Sequence, residues 1–265
     1  MNRMITLTTD FGLRDGYAGE MKGVILGINP DATIIDVSHE IESQNVGQAA
    51  FVLGTTSPHF PPGTVHVVVV DPGVGTERKA ILLETTSGLF LGPDNGVLSY
   101  VMEANPQYRA IALTNSKYWR KPVSLTFHGR DIFAPVAAHR SKGVAPGELG
   151  ETVTSLATLY ICQPEEQGSE LVGEVVYIDG FGNLVTNIRE SDLPQQHEAV
   201  EVEVGGRVIR GLSRSYAEGG ELLAIAGSSD RMEIAARNGS AASRLGARIG
   251  QKVLLRKLNP DVNHA

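Results

Sequence analysis

Short β-branched apolar runs alternate with stretches of helical apolar spacing through the first half of the chain. Residues 5–9 predict a strand that breaks at Asp10-Phe11-Gly12, and residues 17–28 predict a helix ended by Asn29-Pro30. A second strand is expected at 33–37 and a second helix at 46–53, closed by Gly54 and then Pro58. Residues 65–70 are all Val and His, the mark of a strand covered on both faces. A hairpin (80–85 with 89–91), a helix at 97–103, a strand at 109–113 and a helix at 131–141 complete this half. Such alternation predicts an α/β domain with a mainly parallel sheet.

The pattern changes after residue 150. Residues 163–169 are polar, contain Pro164 and read as a linker. Beyond them lie short apolar or alternating runs at 173–178, 184–188, 199–204, 207–210, 222–226, 232–235 and 252–255. Turns such as Gly205-Gly206 and Gly219-Gly220 separate them, and 240–245 has the spacing of one short helix. This predicts an all-β domain. The expected division is an N-terminal α/β domain at 1–165 and an all-β domain at 166–265, without internal repeats.

Composition narrows the classes of function. The 265 residues carry a net charge of −7 with a pI near 5.5, which speaks against nucleic-acid or anionic-membrane partners. A small-molecule ligand is the natural expectation. Cys162 is the one cysteine, so an intramolecular disulfide or thiolate metal cage cannot form, and a reducing cytoplasm is expected. Residues 1–10 do not read as a signal peptide, and no stretch approaches the roughly 18 to 20 apolar residues of a membrane span.

Candidate chemistry sits where strands end, because ligands of open parallel sheets bind beyond the carboxyl ends of the strands. Asp10, Asp36 and Asp71 each stand at the expected end of such a run. Turn formation alone accounts for any one of them. The loop from Asp71 to Arg78 (DPGVGTER) is glycine-rich but lacks the lysine and hydroxyl of a phosphate-binding loop. It offers an anion and a cation that could simply pair with each other. His128, in Phe127-His128-Gly129-Arg130-Asp131, precedes a helical pattern and could cap it or face an anion. His39, His59, His66 and His139 lack the i,i+4 spacing of a zinc motif, so no metal is expected. Asp179-Gly180-Phe181-Gly182-Asn183 is a good hairpin loop, and it also combines a carboxylate, an aromatic face and an amide suited to a nucleobase.

These segments together resemble a known family. Thr9-Asp10-Phe11-Gly12, Asp36-Val37-Ser38-His39, the loop from Val70 to Thr76, Gly92-Pro93-Asp94-Asn95-Gly96, the segment from Thr126 to Asp131 and the segment from Gly182 to Asn187 are similar, in order, to the S-adenosylmethionine hydroxide adenosyltransferases. These enzymes, also called S-adenosylmethionine hydrolases, are relatives of the fluorinase and chlorinase. The resemblance implies a C-terminal barrel-like domain and a homotrimer with sites at subunit interfaces. It implies hydrolysis of S-adenosylmethionine to adenosine and methionine, without a cofactor. Asp71, Arg78 and His128 would handle the water, a set that the halide-using relatives lack. Asp10 would hold the ribose hydroxyls, Asn183 the adenine edge with Phe181 stacked on the ring, and Asp179 the methionine ammonium. Ser228 and Glu233 would meet the methionine end and the adenosine. The chain departs from the pattern at Ser43-Gln44, at Gly227 and at Asp230.

Displacement at C5′ expels methionine as a neutral thioether, so the catalytic demand falls on the nucleophile. Bulk water has a pKa of about 15.7, and a positioned base and donor are needed to draw hydroxide character from it. Three alternatives compete: a halide-dependent 5′-halo-5′-deoxyadenosine synthase, a metal-dependent phosphohydrolase using Asp10, Asp36, Asp71 and Asp94, and a non-catalytic binding protein for adenosine or S-adenosylmethionine.

Overall fold

The β-branched run after Arg3 forms strand β1 (Met4–Thr9), followed by α1 (Tyr17–Ile28), β2 (Thr33–Ser38) and α2 (Val46–Thr56). The Asn45 side chain caps α2 by accepting the Gln48 N–H at 2.9 Å. Next come β3 (Val65–Val69), β4 (Ala80–Glu84), β5 (Leu89–Pro93), α3 (Ser99–Ala104) and β6 (Arg109–Ala112). The half ends with α4 (Ala134–Ser141), α5 (Pro146–Leu149) and β7 (Glu151–Val153). The computed structural model describes residues 3–195 and 199–258 and divides the chain into two units, Met1–Ile161 and Cys162–Ala265.

The first unit holds one seven-stranded sheet in the order β2-β1-β3-β5-β4-β6-β7. β2, β1, β3 and β5 run parallel, whereas β4, β6 and β7 add on antiparallel. The reason is the short turn between β4 and β5, which can only reverse the chain. Along β3 the side chains alternate between two cores. Val65, Val67 and Val69 pack with Met21 and Ile25 of α1 and Val136 of α4, while Val68 packs with Leu53 of α2 and Val101 of α3. Both faces are therefore covered, and the apolar run of β3 follows from that.

The helix expected at 131–141 is split. Residues Gly129–Phe133 form a π turn before α4 begins. Pro135 has no N–H, so the Asp131 carbonyl lacks its usual α-helical partner and instead accepts the Arg120 N–H at 2.9 Å. This bond ties the preceding loop to the helix.

The second unit contains β8 (Glu165–Gln167), β9 (Glu170–Ile178), β10 (Leu184–Arg189), β11 (Val200–Val204), β12 (Arg207–Arg210), β13 (Leu222–Ala226), β14 (Arg231–Ala236), the short helix α6 (Ala241–Leu245) and β15 (Lys252–Lys257). The sheet order is β12-β11-β15-β9-β10-β14-β13, every pair antiparallel, with β8 beside β9. Ser213, just past β12, bridges to Ile225 of β13, so the two ends of the sheet meet and it nearly closes as a barrel. The expected linker at 163–169 is thus partly a strand: residues 165–167 pair with β9. Among the described residues no helix is long and apolar enough to cross a membrane.

Candidate active site

The carboxyl end of β3 runs through Val70 into Asp71. Asn95 fixes that end by donating its Nδ2 to the Val70 carbonyl at 2.9 Å. The loop then turns back, and Arg78 grips Asp71 at both oxygens, Nε to Oδ1 at 3.0 Å and Nη2 to Oδ2 at 2.5 Å. The side chains are only 4 % (Asp71) and 9 % (Arg78) exposed. A pair this buried and bidentate is far stronger than a solvated surface bridge. Arg78 Nη2 also lies 2.7 Å from His128 Nδ1, so one guanidinium holds both of the other residues.

His128 ends a loop that is anchored by a carboxylate with no exposed surface. Asp131 accepts from Arg130 Nε at 2.7 Å and Nη2 at 2.9 Å, from Arg120 at 3.2 Å, and from the Ser124 N–H at 2.8 Å. Burial alone would raise the Asp131 pKa, but these donors and charges outweigh it and hold the group below the ordinary carboxylate range. His128 is held below the ordinary imidazole value, first by burial and then by the charge of Arg78, against the opposing pull of Asp71 and Asp131.

Asp71 and His128 line a cleft of about 260 Å³ with Asp10, Gln44, Thr126 and Phe127. Arg78 is absent from this lining and borders a second cleft with Trp119, Ile132 and His128 itself. Asp10 accepts the Gln44 N–H at 2.8 Å, and Gln44 adopts a positive φ of 64° to present it. The departure at Ser43-Gln44 therefore lies on the cleft wall, where the Gln44 backbone N–H meets Asp10.

Asp36 and Asp94 do not join this group. Asp36 lies within β2 rather than at its end, salt-bridged to Lys22 at 2.6 Å, and Asp94 accepts the Ala157 N–H at 2.7 Å. Among the described residues, no three His, Cys, Asp or Glu side chains converge as a metal site would require. Of the four carboxylates of the phosphohydrolase alternative, Asp10 and Asp71 share the cleft and Asp36 and Asp94 are engaged elsewhere.

The second unit gathers the other candidates. In the loop between β9 and β10, Asp179 Oδ1 accepts the N–H groups of Phe181 (2.9 Å) and Asn183 (2.8 Å), and Oδ2 accepts Asn183 Nδ2 at 2.8 Å. Gly182, with φ of 82°, packs against Ser240 so tightly that a Cβ would stand 2.0 Å from its Oγ. The loop is thus packed tightly on Ser240, and it leaves Phe181 82 % exposed. With three of about four acceptor directions on Asp179 used by its own loop, one on Oδ2 remains for a ligand. One of the two Asn183 Nδ2 protons is likewise committed to Asp179, which leaves the second proton and Oδ1 for other partners.

Glu233, on β14, is 6 % exposed and accepts the Tyr216 hydroxyl at 3.2 Å. Burial raises its pKa, the Tyr216 bond lowers it, and the negative charge of Asp179 raises it further, for a net rise. Its side chain fills the space beside Gly227, where a Cβ would stand 2.0 Å from Oε1. Asp230 holds a positive φ of 56°, a backbone that suits the glycine the pattern would place there. Ser228 lies in the turn between β13 and β14 that leads to Glu233.

Three contributors went unassigned by sequence reasoning. Asn95 and Asp131 stood inside the quoted motifs without a role, and only tertiary structure shows that they anchor Asp71 and His128. Tyr216 had no signal, because nothing local links it to Glu233 seventeen residues on.

Comparison with known proteins decides the family. Residues 5–150 match the model of the SAM hydroxide adenosyltransferase N-terminal domain, and residues 173–254 that of the C-terminal domain. The chain belongs to the SAM hydroxide adenosyltransferase family. It is 46 % identical over 195 residues to the (R)-S-adenosyl-L-methionine hydrolase of Methanocaldococcus jannaschii, covering 72 % of this chain and 68 % of that protein. The protein of the same name from Thermus thermophilus is 36 % identical over 264 residues, 96 % of this chain and 99 % of that one. A crystal structure of an uncharacterized conserved protein from Thermotoga maritima superposes with a TM-score of 0.91 at 38 % identity, covering 96 % of this chain and all of the other.

Proposed function

We propose that this member of the family hydrolyses S-adenosyl-L-methionine to adenosine and L-methionine, by in-line attack of water at the ribose C5′. The observation that carries the reading is the partly buried Asp71–Arg78–His128 cluster, with Asp71 and His128 both lining the cleft that Asp10 borders. The names of the relatives point to the R configuration at the sulfonium, a distinction that residue types alone do not convey.

The geometry divides the labour. Arginine donates and never accepts, so His128 must accept at Nδ1 and carry its proton on Nε2. A neutral His128 in that form donates to the water oxygen instead of taking its proton. Asp71 is then the acceptor: each of its oxygens receives one bond from Arg78 and keeps a further lone pair. As the water oxygen bonds to C5′ and the C5′–S bond breaks, the water proton passes to Asp71 and the sulfur leaves as a thioether. Arg78 does not line the cleft that Asp71 and His128 share. It fixes both groups and keeps the nearby charge balanced while hydroxide character and sulfonium cancel.

Asp10 is the proposed ligand of the ribose hydroxyls, with Phe181 and Asn183 on the adenine and Asp179, Ser228 and Glu233 toward the methionine and adenosine. The mutual repulsion of Asp179 and Glu233 supports a cationic ligand there, since an ammonium relieves it. We place the protein in the cytoplasm as a homotrimer with sites at subunit interfaces, a reading supported by the exposed Phe181 ring and the single cysteine.

The test is incubation with the R and S epimers separately in ¹⁸O water. Adenosine labelled at the 5′ oxygen, with methionine, is expected from the R epimer. Unlabelled adenosine, or an unchanged R epimer, overturns the proposal, and product that appears only when chloride is added supports a halide-using enzyme.

A further inference from the structure

The Asp10 turn is held from behind by a histidine that touches nothing in the cleft. His39 is 3 % exposed and lies just past β2. Its Nδ1 is 2.8 Å from the Thr9 hydroxyl, and Thr9 Oγ1 also receives the Phe11 N–H at 3.3 Å. Its own carbonyl accepts the Gly12 N–H at 2.7 Å. The residues on both sides of Asp10 are therefore clamped to His39, one through its ring and one through its backbone. Gly12 needs this second clamp, because it turns the chain with a φ of 68°.

The far side of the ring faces a carboxylate. Nε2 stands 3.0 Å from Asp36 Oδ1, which can only accept, and Asp36 is in turn salt-bridged to Lys22. Burial would raise the Asp36 pKa, but Lys22 and His39 outweigh it, so the carboxylate stays ionised. In the neutral ring with its proton on Nε2, facing Asp36, Nδ1 accepts the Thr9 hydroxyl. Thr9 Oγ1 then keeps its lone pairs for Phe11. The Phe11 and Gly12 N–H groups each meet an acceptor, while His39 Nε2 stands in ion-pair range of Asp36 without an aligned hydrogen bond.

We propose that His39 is a positioning residue for the reaction, setting the direction of the Asp10 carboxylate through Thr9 and the Phe11 N–H. Gln44 fixes the Asp10 oxygen from the front, and His39 fixes its backbone from behind. The consequence is specific to substrate binding. Asp71 and His128 stand on other loops, so loss of the clamp leaves the water-handling set in place.

This inference rests on the reading of Asp10 as the ribose ligand, and the test separates the two. His39→Asn keeps an acceptor where Nδ1 stands, whereas His39→Gln moves it to the Nε2 position. The expected result is a KM raised roughly five- to tenfold in His39→Gln, the value of about one hydrogen bond, with kcat within about twofold. His39→Asn is expected to restore most of the loss. Thr9→Val should raise KM alike, and the double variant Thr9→Val with His39→Gln should be no worse than either alone, as coupled residues require. Asp10→Ala is the reference. If Asp10→Ala leaves KM unchanged, the ribose reading fails. If it raises KM while His39→Gln and Thr9→Val do not, or if Asn and Gln at position 39 lower kcat and thermal stability equally, the positioning role is overturned.

Discussion

Arg78 Nη2 stands 2.7 Å from His128 Nδ1, and because a guanidinium has only protons to offer, that contact fixes the imidazole as neutral with its proton on Nε2. Burial and the Arg78 charge act together to keep it neutral.

The tautomer is directly measurable. Long-range ¹H–¹⁵N spectra at pH 7 should show His128 protonated at Nε2, with a titration midpoint below 6.5. In Arg78→Met the midpoint should move upward, since a lowering charge is lost while the raising charge of Asp71 remains. The acid limb of kcat/KM should move the same way. A proton found on Nδ1 would require a different account of the triad.

Asp71 is assigned the proton, and Asp71→Asn preserves its shape while removing that capacity. The expected loss in kcat is about 10²- to 10⁴-fold, the range for general-base assistance. Adenosine affinity, measured by calorimetry, should change by no more than about twofold, because Asp71 meets the water and not the nucleoside. Matching losses in turnover and binding would reduce Asp71 to a structural partner of Arg78.

Glu233 and Asp179 repel each other, and a bound cation should lessen the penalty. Glu233→Gln is therefore expected to weaken S-adenosylmethionine binding several-fold and adenosine binding hardly at all. The raised Glu233 pKa adds a pH signature. As pH falls through that value the carboxyl becomes neutral, so affinity for the cationic ligand should decline in the native protein, and this component should vanish in the Gln variant. Titration calorimetry from pH 7 downward reads both effects. Equal weakening toward the two ligands would place Glu233 on the nucleoside instead.

Elements with strong periodicity were legible residue by residue. α1 spans 17–28 as its spacing predicts, and β12 and β13 coincide with their runs at 207–210 and 222–226. The edge strands β7 and β8 were not legible, since Glu151–Val153 and Glu165–Gln167 are short and polar and become strands only through their neighbours. The site divides in the same way. Asp71 and Arg78 share one short loop and their pairing was foreseeable, but the contact with His128, fifty residues on, depends on how Pro135 and Asp131 shape the intervening turn.

His66 offers a test of the scaffold apart from the chemistry. It lies in β3, 1 % exposed, stacked on Phe90 at 4.8 Å and bonded through Nδ1 to the Thr6 hydroxyl at 2.9 Å. Burial lowers its pKa from 6.5 to about 4. The unfolded chain therefore takes up a proton below pH 6.5 that the folded protein refuses until about pH 4. Stability should fall as pH drops through this window, by about 2 kcal/mol from this residue between pH 7 and pH 5. His66→Gln keeps a polar side chain but cannot titrate, so urea unfolding at the two pH values should show a correspondingly smaller acid loss in the variant. The lowered pKa values of His128 and His139 act in the same direction in both proteins and cancel in the comparison. If the native protein and the variant lose the same stability on acidification, His66 is not the group that the folded state keeps neutral.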